Sequence, residues 1–121
     1  MWGGIARYVL LTGNRHLIGC ASVSLADGGA NARAIAAELG SAGRLDRGLE
    51  CLPHHPFPLE PQVPGHRAVA PPLWRGYLLL GARVGAVPAW DPHFGPADSL
   101  VLLDYRQVPQ RYLNHLLAAR D

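Results

Sequence analysis

The chain opens on apolar residues at helical spacing, which predict a first helix. The series comprises Trp2, Ile5, Ala6, Val9 and Leu10. Gly13 is placed to end this helix, because glycine adopts the left-handed conformation that closes many helices. The next stretch, LIGCASVSL over residues 17–25, is a short and nearly unbroken apolar run. Such a run predicts a strand that is buried on both faces.

A second helix is predicted after the turn Asp27-Gly28-Gly29, with apolar residues at positions i, i+3, i+4 and i+7 and Gly40 at its end. These apolar residues are Ala32, Ile35, Ala36 and Leu39. A third helix is expected to begin at Pro71-Pro72, since proline fits the first helical turn, and to end at Gly85. Its predicted buried stripe is Leu73, Tyr77, Leu80 and Val84.

The last third of the chain predicts two strands and a helix. Residues 87–90 form a short strand candidate, and the run SLVLLDY over 99–105 predicts a stronger strand. Pro109 starts a final helix, whose apolar face holds Tyr112, Leu113, Leu116 and Leu117. The order of helices and strands predicts an α/β or α+β fold in one domain spanning residues 1–121.

Regular patterning fails between the second and third helices. The stretch LPHHPFPLEPQVPG carries five prolines, which predict an extended, polyproline-like loop over about 44–70 without ladder hydrogen bonds. A loop of that length in a compact domain is either functional or draped over another part of the fold.

Composition narrows the function classes. The chain has 121 residues, 49% of them hydrophobic, so it can bury a core without metal or disulfides. A net charge of +2 gives no electrostatic argument for nucleic-acid binding. All basic side chains except histidine are arginine, and without lysine no Schiff-base chemistry is available.

The two cysteines, Cys20 and Cys51, show no metal or redox spacing. They favour a reduced, cytoplasmic protein, with a disulfide between them as the alternative. We expect no signal peptide, because no basic leader follows Met1, and no membrane span, because polar residues interrupt the apolar segment 5–25.

The stretch PAWDPHFGPAD, over residues 88–98, stands out before the strongest predicted strand. A turn needs glycine, proline, asparagine or aspartate, but it does not need Trp90, His93 and Phe94 beside them. This excess of aromatic and acidic groups on a loop predicts a functional site.

Three segments carry a resemblance to a known family. Pro88, Trp90-Asp91-Pro92, Phe94 and Ala97-Asp98 resemble the motif P-x-W-D-P-x-F-x-x-A-D-x-L of the hemolysin-type branch of the GNAT superfamily, which includes ornithine–acyl carrier protein N-acyltransferases. PPLWRGYLLLGARV is similar to that branch's PPL-x-K/R-G-Y-L-x-L-GA, and MWGGIARYVLLTGNRHLIGCASVS to its opening helix–strand unit. Gly95-Pro96 departs from the polar pair usual before Ala-Asp, and the resemblance is weakest over residues 44–69.

The resemblance implies the C-terminal half of a GNAT-like fold, with a short mixed sheet flanked by helices. It also implies transfer of an acyl group from an acyl carrier protein or coenzyme A thioester to an amine such as ornithine, in lipid biosynthesis. No permanently bound cofactor and no metal are expected, and the location would be cytoplasmic, at most peripheral to the membrane. The glycine-rich donor loop of the superfamily has no counterpart in this chain, so we expect the isolated chain to be inactive. The alternative is a non-catalytic fragment or partner subunit that needs the missing N-terminal half.

For each candidate residue, a purely structural role is the alternative to a role in binding or catalysis. Asp91 and Asp98 could hold an acceptor ammonium, or could form a turn and cap a strand. Trp90 and Phe94 could line an acyl channel, or could be core residues. His93 could act as a base, or could be a solvated loop histidine.

Weaker candidates lie elsewhere in the chain. Ser22 and Ser24 alternate on the first predicted strand, where the resemblance implies donor pantetheine, and a packing role is equally open. Arg75 and Arg83, eight residues apart on the third predicted helix, could meet an acidic carrier protein or simply be solvated. The set His54, His55 and Glu60 lacks the spacing of a metal site. The resemblance to only the second half of that fold also implies that the strand over residues 17–25 is an unpaired edge, which predicts self-association.

Overall fold

A computed structural model of the chain describes residues 2–46, 48–49, 52–60, 65–90, 92–93 and 95–118. Within those ranges, helices and strands form one sheet with helices packed beside it. The helices are α1 (Trp2–Thr12), α2 (Ala30–Ser41), α3 (Pro72–Leu79) and α4 (Gln110–Ala118), with a 3-10 turn at Tyr105–Gln107. The strands are β1 (His16–Val23), β2 (Leu45–Asp46), β3 (Arg83–Gly85), β4 (Ala89–Trp90) and β5 (Ala97–Asp104).

Strand β5 is the centre of the sheet. On one side it pairs antiparallel with β1 from His16↔Asp104 to Val23↔Ala97. On its other side β3 and β4 pair with different halves of β5, and β2 adds to β3 in parallel. This mixed sheet, flanked by helices, confirms the predicted fold class and is consistent with a partial GNAT-like fold.

The core lies on one face of the sheet, because burial alternates along β5 and its odd-numbered residues are buried. Helices α2 and α3 supply the opposing layer, and Trp74 is the largest side chain that is almost fully enclosed. Gly19 allows the close approach of α3, since a Cβ built there would lie 2.5 Å from the Tyr77 hydroxyl. The remaining core positions are Ala21, Val23, Ala32, Ile35, Leu39, Val84, Val101 and Leu103.

Two predicted helix ends are wrong. Helix α3 stops at Leu79, because Gly81 takes a positive φ of 88° and the chain reverses there; Val84 and Gly85 lie on β3. Its buried stripe contains Trp74 and Tyr77, whereas Leu73 is 40% exposed. Helix α2 continues through Gly40 to Ser41. Gly13 has a positive φ of 73°, as predicted for the end of α1, and the turn glycines Gly28 and Gly29 also have positive φ.

Strand β1 also differs from its prediction. Its even-numbered side chains are exposed and its odd-numbered ones are covered, so it is buried on one face only. Ile18 is 66% exposed and Cys20 is exposed and not in a disulfide. The unbroken apolar run was misleading because Gly19, Cys20 and Ala21 are small residues that tolerate either environment.

The predicted loop over 44–70 contains regular contacts. Strand β2 begins at Leu45, and its preceding residue Arg44 accepts a hydrogen bond from Val84 at its carbonyl. Pro56 forms an isolated antiparallel bridge with Ala89 of β4. The proline-rich segment therefore docks along the sheet, and the prediction that it lacks ladder contacts is wrong. No helix in the described ranges is long and apolar enough to cross a membrane.

Candidate functional site

The candidate site is built on one cross-strand pair. Ser22 of β1 lies opposite Asp98 of β5, and the Ser22 hydroxyl donates to a carboxylate oxygen of Asp98 at 2.5 Å. On the other side of β5, Ala89 of β4 also lies opposite Asp98. Asp98 is therefore held by paired strands on both sides, which fixes its backbone more firmly than a loop would.

An open groove of about 580 Å³ is lined by Ser22, the residue whose hydroxyl contacts Asp98. Ser22 and Ser24 both line it because alternate residues of an extended chain point the same way. The Ser24 hydroxyl accepts a hydrogen bond from the Ala26 amide at 3.2 Å, which turns the chain out of β1. The rest of the groove is formed by Leu25, Ala26, Gly95 and Pro96. A small molecule can therefore reach the Ser22–Asp98 end of the sheet from solvent.

A buried indole supports the β1 side of the site. The Trp74 ring nitrogen donates to the Ser22 carbonyl at 3.2 Å, and the Trp74 residue is only 2% exposed. A packed aromatic ring has one position in the core, so this bond restrains the backbone that carries the Ser22 hydroxyl. No sequence spacing pointed to Trp74, which lies 52 residues from Ser22.

Strand β4 and the proline-rich segment extend the sheet on the other side of β5. Trp90 pairs with Ala97, is 45% exposed, and donates its amide to the His55 carbonyl at 2.7 Å. The Phe57 amide donates to the Pro88 carbonyl at 2.9 Å, and Phe57 is buried. Sequence reasoning missed this docking, for which the only signal was a long loop beside a compact core.

The other predicted site residues belong to the segment between β4 and β5 in the sequence. His93 is exposed in a turn with Pro92, between the ends of β4 and β5. Asp91 and Phe94 lie outside the described residues. The structure thus brings Ser22 into contact with Asp98, places Ser24 in the same groove as Ser22, and leaves the predicted roles of the loop residues as predictions.

Two weaker candidates separate in space. Arg83 lies on β3 and not on the helix of Arg75, so the predicted pair on one helical face is wrong; Arg83 Nε is instead 3.8 Å from a carboxylate oxygen of Asp46.

In the described part of the chain, no group of three or more metal-binding side chains forms, and the histidines at 54 and 55 belong to no such cluster.

The two carboxylates of β5 have opposite electrostatic surroundings. Asp104 faces the Arg15 guanidinium at 2.8 Å and accepts the Arg106 amide at 3.0 Å. The Arg15 hydrogen bond, and then the Arg106 amide, hold the pKa of Asp104 below its usual range, although partial burial opposes the shift. Among the described residues, no cation pairs with Asp98, whose contact is the Ser22 hydroxyl. The negative charge of Asp98 is therefore available to a cationic group from solution.

The chain is similar in sequence to parts of two curated proteins. It is 33% identical over 76 residues to an L-ornithine N(alpha)-acyltransferase of Brucella abortus (strain 2308), a match covering 58% of this chain and 27% of that protein. It is 42% identical over 48 residues to an L-ornithine N(alpha)-acyltransferase of Rhizobium meliloti (strain 1021), covering 40% of this chain and 16% of that protein. No protein-family model and no solved structure gives a significant match. The chain is thus related to acyltransferases through segments that span only 27% and 16% of those two relatives.

Proposed function

We propose that the chain is part of an N-acyltransferase of the hemolysin-type branch of the GNAT superfamily. It would transfer an acyl group from an acyl carrier protein or coenzyme A thioester to an amine such as ornithine, in lipid biosynthesis. Partial similarity to two L-ornithine N(alpha)-acyltransferases and a mixed sheet flanked by helices support this proposal. A cytoplasmic location, peripheral to the membrane where the lipid product is made, belongs to the same proposal.

The observation that carries the proposal is the Asp98 carboxylate, which has no cationic partner among the described residues and is bonded to Ser22 in the wall of the open groove. An amino-acid acceptor approaches with an ammonium group, which is costly to bury without an opposite charge. Asp98 supplies that charge, and the Ser22 hydroxyl keeps one of its oxygens in place at 2.5 Å. The other oxygen is then left for the ammonium.

Direct transfer needs few groups from the protein. The ammonium loses a proton, and the nitrogen lone pair forms a C–N bond with the thioester carbonyl carbon. The C–S bond then breaks, the sulfur leaves as a thiol after taking up one proton, and the nitrogen of the new amide gives up its second proton. Asp98 serves first as the counter-charge and then as a proton acceptor, two tasks that a carboxylate can perform. No covalent intermediate on the chain is required.

The other candidate residues complete the proposed site. Asp91 would share the acceptor with Asp98, and His93 would be a second proton acceptor. Trp90, with nearly half of its surface exposed, would line the acyl path together with Phe94. Ser24 would face the pantetheine arm of the donor from the groove, beside Ser22.

A second candidate function is a non-catalytic fragment or partner subunit. The matches cover 27% and 16% of the two relatives, so most of each relative has no aligned counterpart here. Under this hypothesis, activity would appear only when the chain is combined with a polypeptide that supplies the part of the relatives without an aligned counterpart here.

An amine-dependence assay separates these functions. The chain would be tested alone and after co-expression with the part of the Brucella abortus relative that the match leaves uncovered. Thiol release from acyl carrier protein and coenzyme A thioesters would be followed with and without ornithine, and products identified by mass. Ornithine-dependent release with N-acyl-ornithine as product supports the transferase. Thioester hydrolysis at the same rate with and without ornithine contradicts the transferase. Inactivity both of the chain alone and of the co-expressed pair favours a non-catalytic role.

A further inference from the structure

Strand β4, which pairs with β5 beside the candidate acid, is held on its other side by residues 55–58 of the proline-rich segment. The strand has only two residues, so its own ladder with β5 is short. The Trp90 amide donates to the His55 carbonyl at 2.7 Å, and the Phe57 amide donates to the Pro88 carbonyl at 2.9 Å. The position of residues 55–58 therefore helps to decide where β4 lies.

One arginine of α2 fixes the end of this short stretch. The Arg33 guanidinium donates from Nε to the Pro58 carbonyl and from Nη1 to the Gly28 carbonyl, each at 3.0 Å. The same guanidinium lies 5.0 Å from the centre of the buried Phe57 ring, which is within the range of a cation–π contact. A guanidinium can hold several partners at once because its donors are arranged in a rigid plane. Arg33 therefore ties residues 57 and 58 to the first turn of α2.

The start of α2 is shaped to receive the Phe57 ring. A Cβ built at Gly29 would lie 2.6 Å from a carbon of that ring, so the ring packs directly against the glycine backbone. Asp27 holds this turn together, because its carboxylate accepts the amides of Gly29 and Asn31 at 2.9 Å each. The anchor for the proline-rich segment is thus a capped helix start.

A second contact from the same helical turn holds the proline-rich segment further along the chain. The Asn31 side chain donates to the Val69 carbonyl at 2.9 Å, and its oxygen accepts the Val69 amide at 2.8 Å. In the described part of the chain, Val69 makes no hydrogen bond with β4. Asn31 and Arg33 therefore anchor one segment at two places, and only the Arg33 anchor adjoins β4.

We propose that Arg33 is a positioning residue for Asp98. Its guanidinium holds Phe57, whose amide holds Pro88. The residue after Pro88 is Ala89, which lies opposite Asp98 in the β4–β5 ladder. Arg33 thus steadies the backbone of Asp98 from the β4 side. This role rests on the proposed function, in which Asp98 holds the acceptor amine.

Amide hydrogen exchange in the 121-residue chain tests the structural link without any assay of activity. Arg33→Ala should speed exchange of the Trp90 and Phe57 amides by about tenfold, because both amides bond across the junction between β4 and residues 55–58. Asn31→Ala is the matched control, since it removes two hydrogen bonds from the same helical turn and should leave both amides unchanged.

Thermal melts check that both variants fold. Arg33→Lys keeps the cation beside the ring but loses the planar fork, so it should give a smaller change in the same direction and replaces Arg33→Ala should that variant unfold. Unchanged exchange in the Arg33 variants, or equal effects of the Arg33 and Asn31 variants, overturns the proposal.

Kinetics of the chain complemented with the remainder of a relative test the consequence for the site. Arg33→Ala should lower kcat/KM for ornithine by about tenfold, mainly by raising KM for ornithine, and should leave KM for the thioester unchanged. Asn31→Ala should keep all three values. In an Asp98→Asn background, Arg33→Ala should have little further effect, because the group that it positions has lost its charge. An equal loss in both backgrounds overturns the proposal.

The same measurements separate this role from the proposed function. Normal kcat/KM in Asp98→Asn alone contradicts the proposed function and, with it, the role of Arg33. Impaired kcat/KM in Asp98→Asn together with normal kcat/KM in Arg33→Ala overturns the role of Arg33 alone.

Discussion

Ser22 and Asp98 lie directly opposite each other on β1 and β5, and the hydroxyl donates to the carboxylate at 2.5 Å. At the other end of the same ladder, Asp104 is bound by the Arg15 guanidinium. The ladder therefore holds one carboxylate that is paired with an arginine, and one that has no cationic partner in the part of the chain that the structure describes and is bonded to the groove residue Ser22. This difference separates the structural acid of β5 from the candidate functional one.

The Arg15–Asp104 pair predicts a specific loss of stability in acid. Its hydrogen bonds lower the pKa of Asp104 in the folded chain, so the pair stabilises the fold above the ordinary aspartate pKa of about 3.9. That contribution is lost as the pH falls through the lower, folded pKa. Asp104→Asn should therefore unfold at lower urea concentration than wild type at pH 7, and the difference should shrink near pH 3.

Urea titrations at the two pH values measure this effect, and Arg15→Gln provides the control. In the Arg15→Gln background, Asp104→Asn should change stability much less at pH 7, because its cation is gone. A difference between wild type and Asp104→Asn that grows as the pH falls would contradict the account.

Close packing of α3 on β1 predicts that Gly19→Ala is destabilising. The added methyl would stand 2.5 Å from the Tyr77 hydroxyl, and Tyr77 is buried and cannot move aside freely. Overpacking of this kind typically costs about 1–3 kcal/mol of unfolding free energy. Chemical denaturation measures the loss. In a Tyr77→Phe background the same substitution should cost less, since the nearest atom is removed; an equal cost in both backgrounds would show that the contact is not the cause.

The chain tested by itself should show no acyl transfer. The segments matched to the two acyltransferases are small parts of those proteins, and the resemblance implies that donor phosphates bind to a glycine-rich loop elsewhere. Assays with ornithine and both thioester types should therefore give no product above background. Robust turnover by the 121-residue chain alone would show that the remainder is dispensable for donor binding.

Apolar spacing and turn residues in the sequence predicted those helices and strands whose conformation is set by their own residues. Helices α1 and α2 and strand β5 follow from apolar spacing and from glycine turns, because each has one clearly buried side. Strands β2 and β3 were missed since strands of two or three residues carry no periodicity; β3 is specified by its pairing with β5, and β2 by its parallel pairing with β3. The end of α3 was misplaced because Gly81 and Gly85 give the same sequence signal, and only tertiary packing decides between them.

The sequence predicted which residues could belong to the candidate site, but not which of them contact each other. The motif at residues 88–98 singled out Asp98, and the alternation of Ser22 and Ser24 indicated one face of a strand. Their meeting depends on the β1–β5 register, which joins residues 76 positions apart in the chain. The hydrogen bond from Trp74 to the Ser22 carbonyl depends on how α3 packs against β1, and no local sequence pattern indicates it.

The central claim is that Asp98 holds the acceptor amine, and Asp98→Asn tests it most directly because it keeps the shape and removes the charge. In the chain complemented with the remainder of a relative, kcat/KM for ornithine should fall by roughly a hundredfold or more, about 2.7 kcal/mol in transition-state free energy. Asp91→Asn tests the neighbouring acid in the same way, and Asp46→Asn, on the far strand β2, is the matched control that should keep kcat/KM. The melting temperature of Asp98→Asn should change little. Normal kcat/KM together with a lowered melting temperature would contradict the account and make Asp98 a structural residue of the strand.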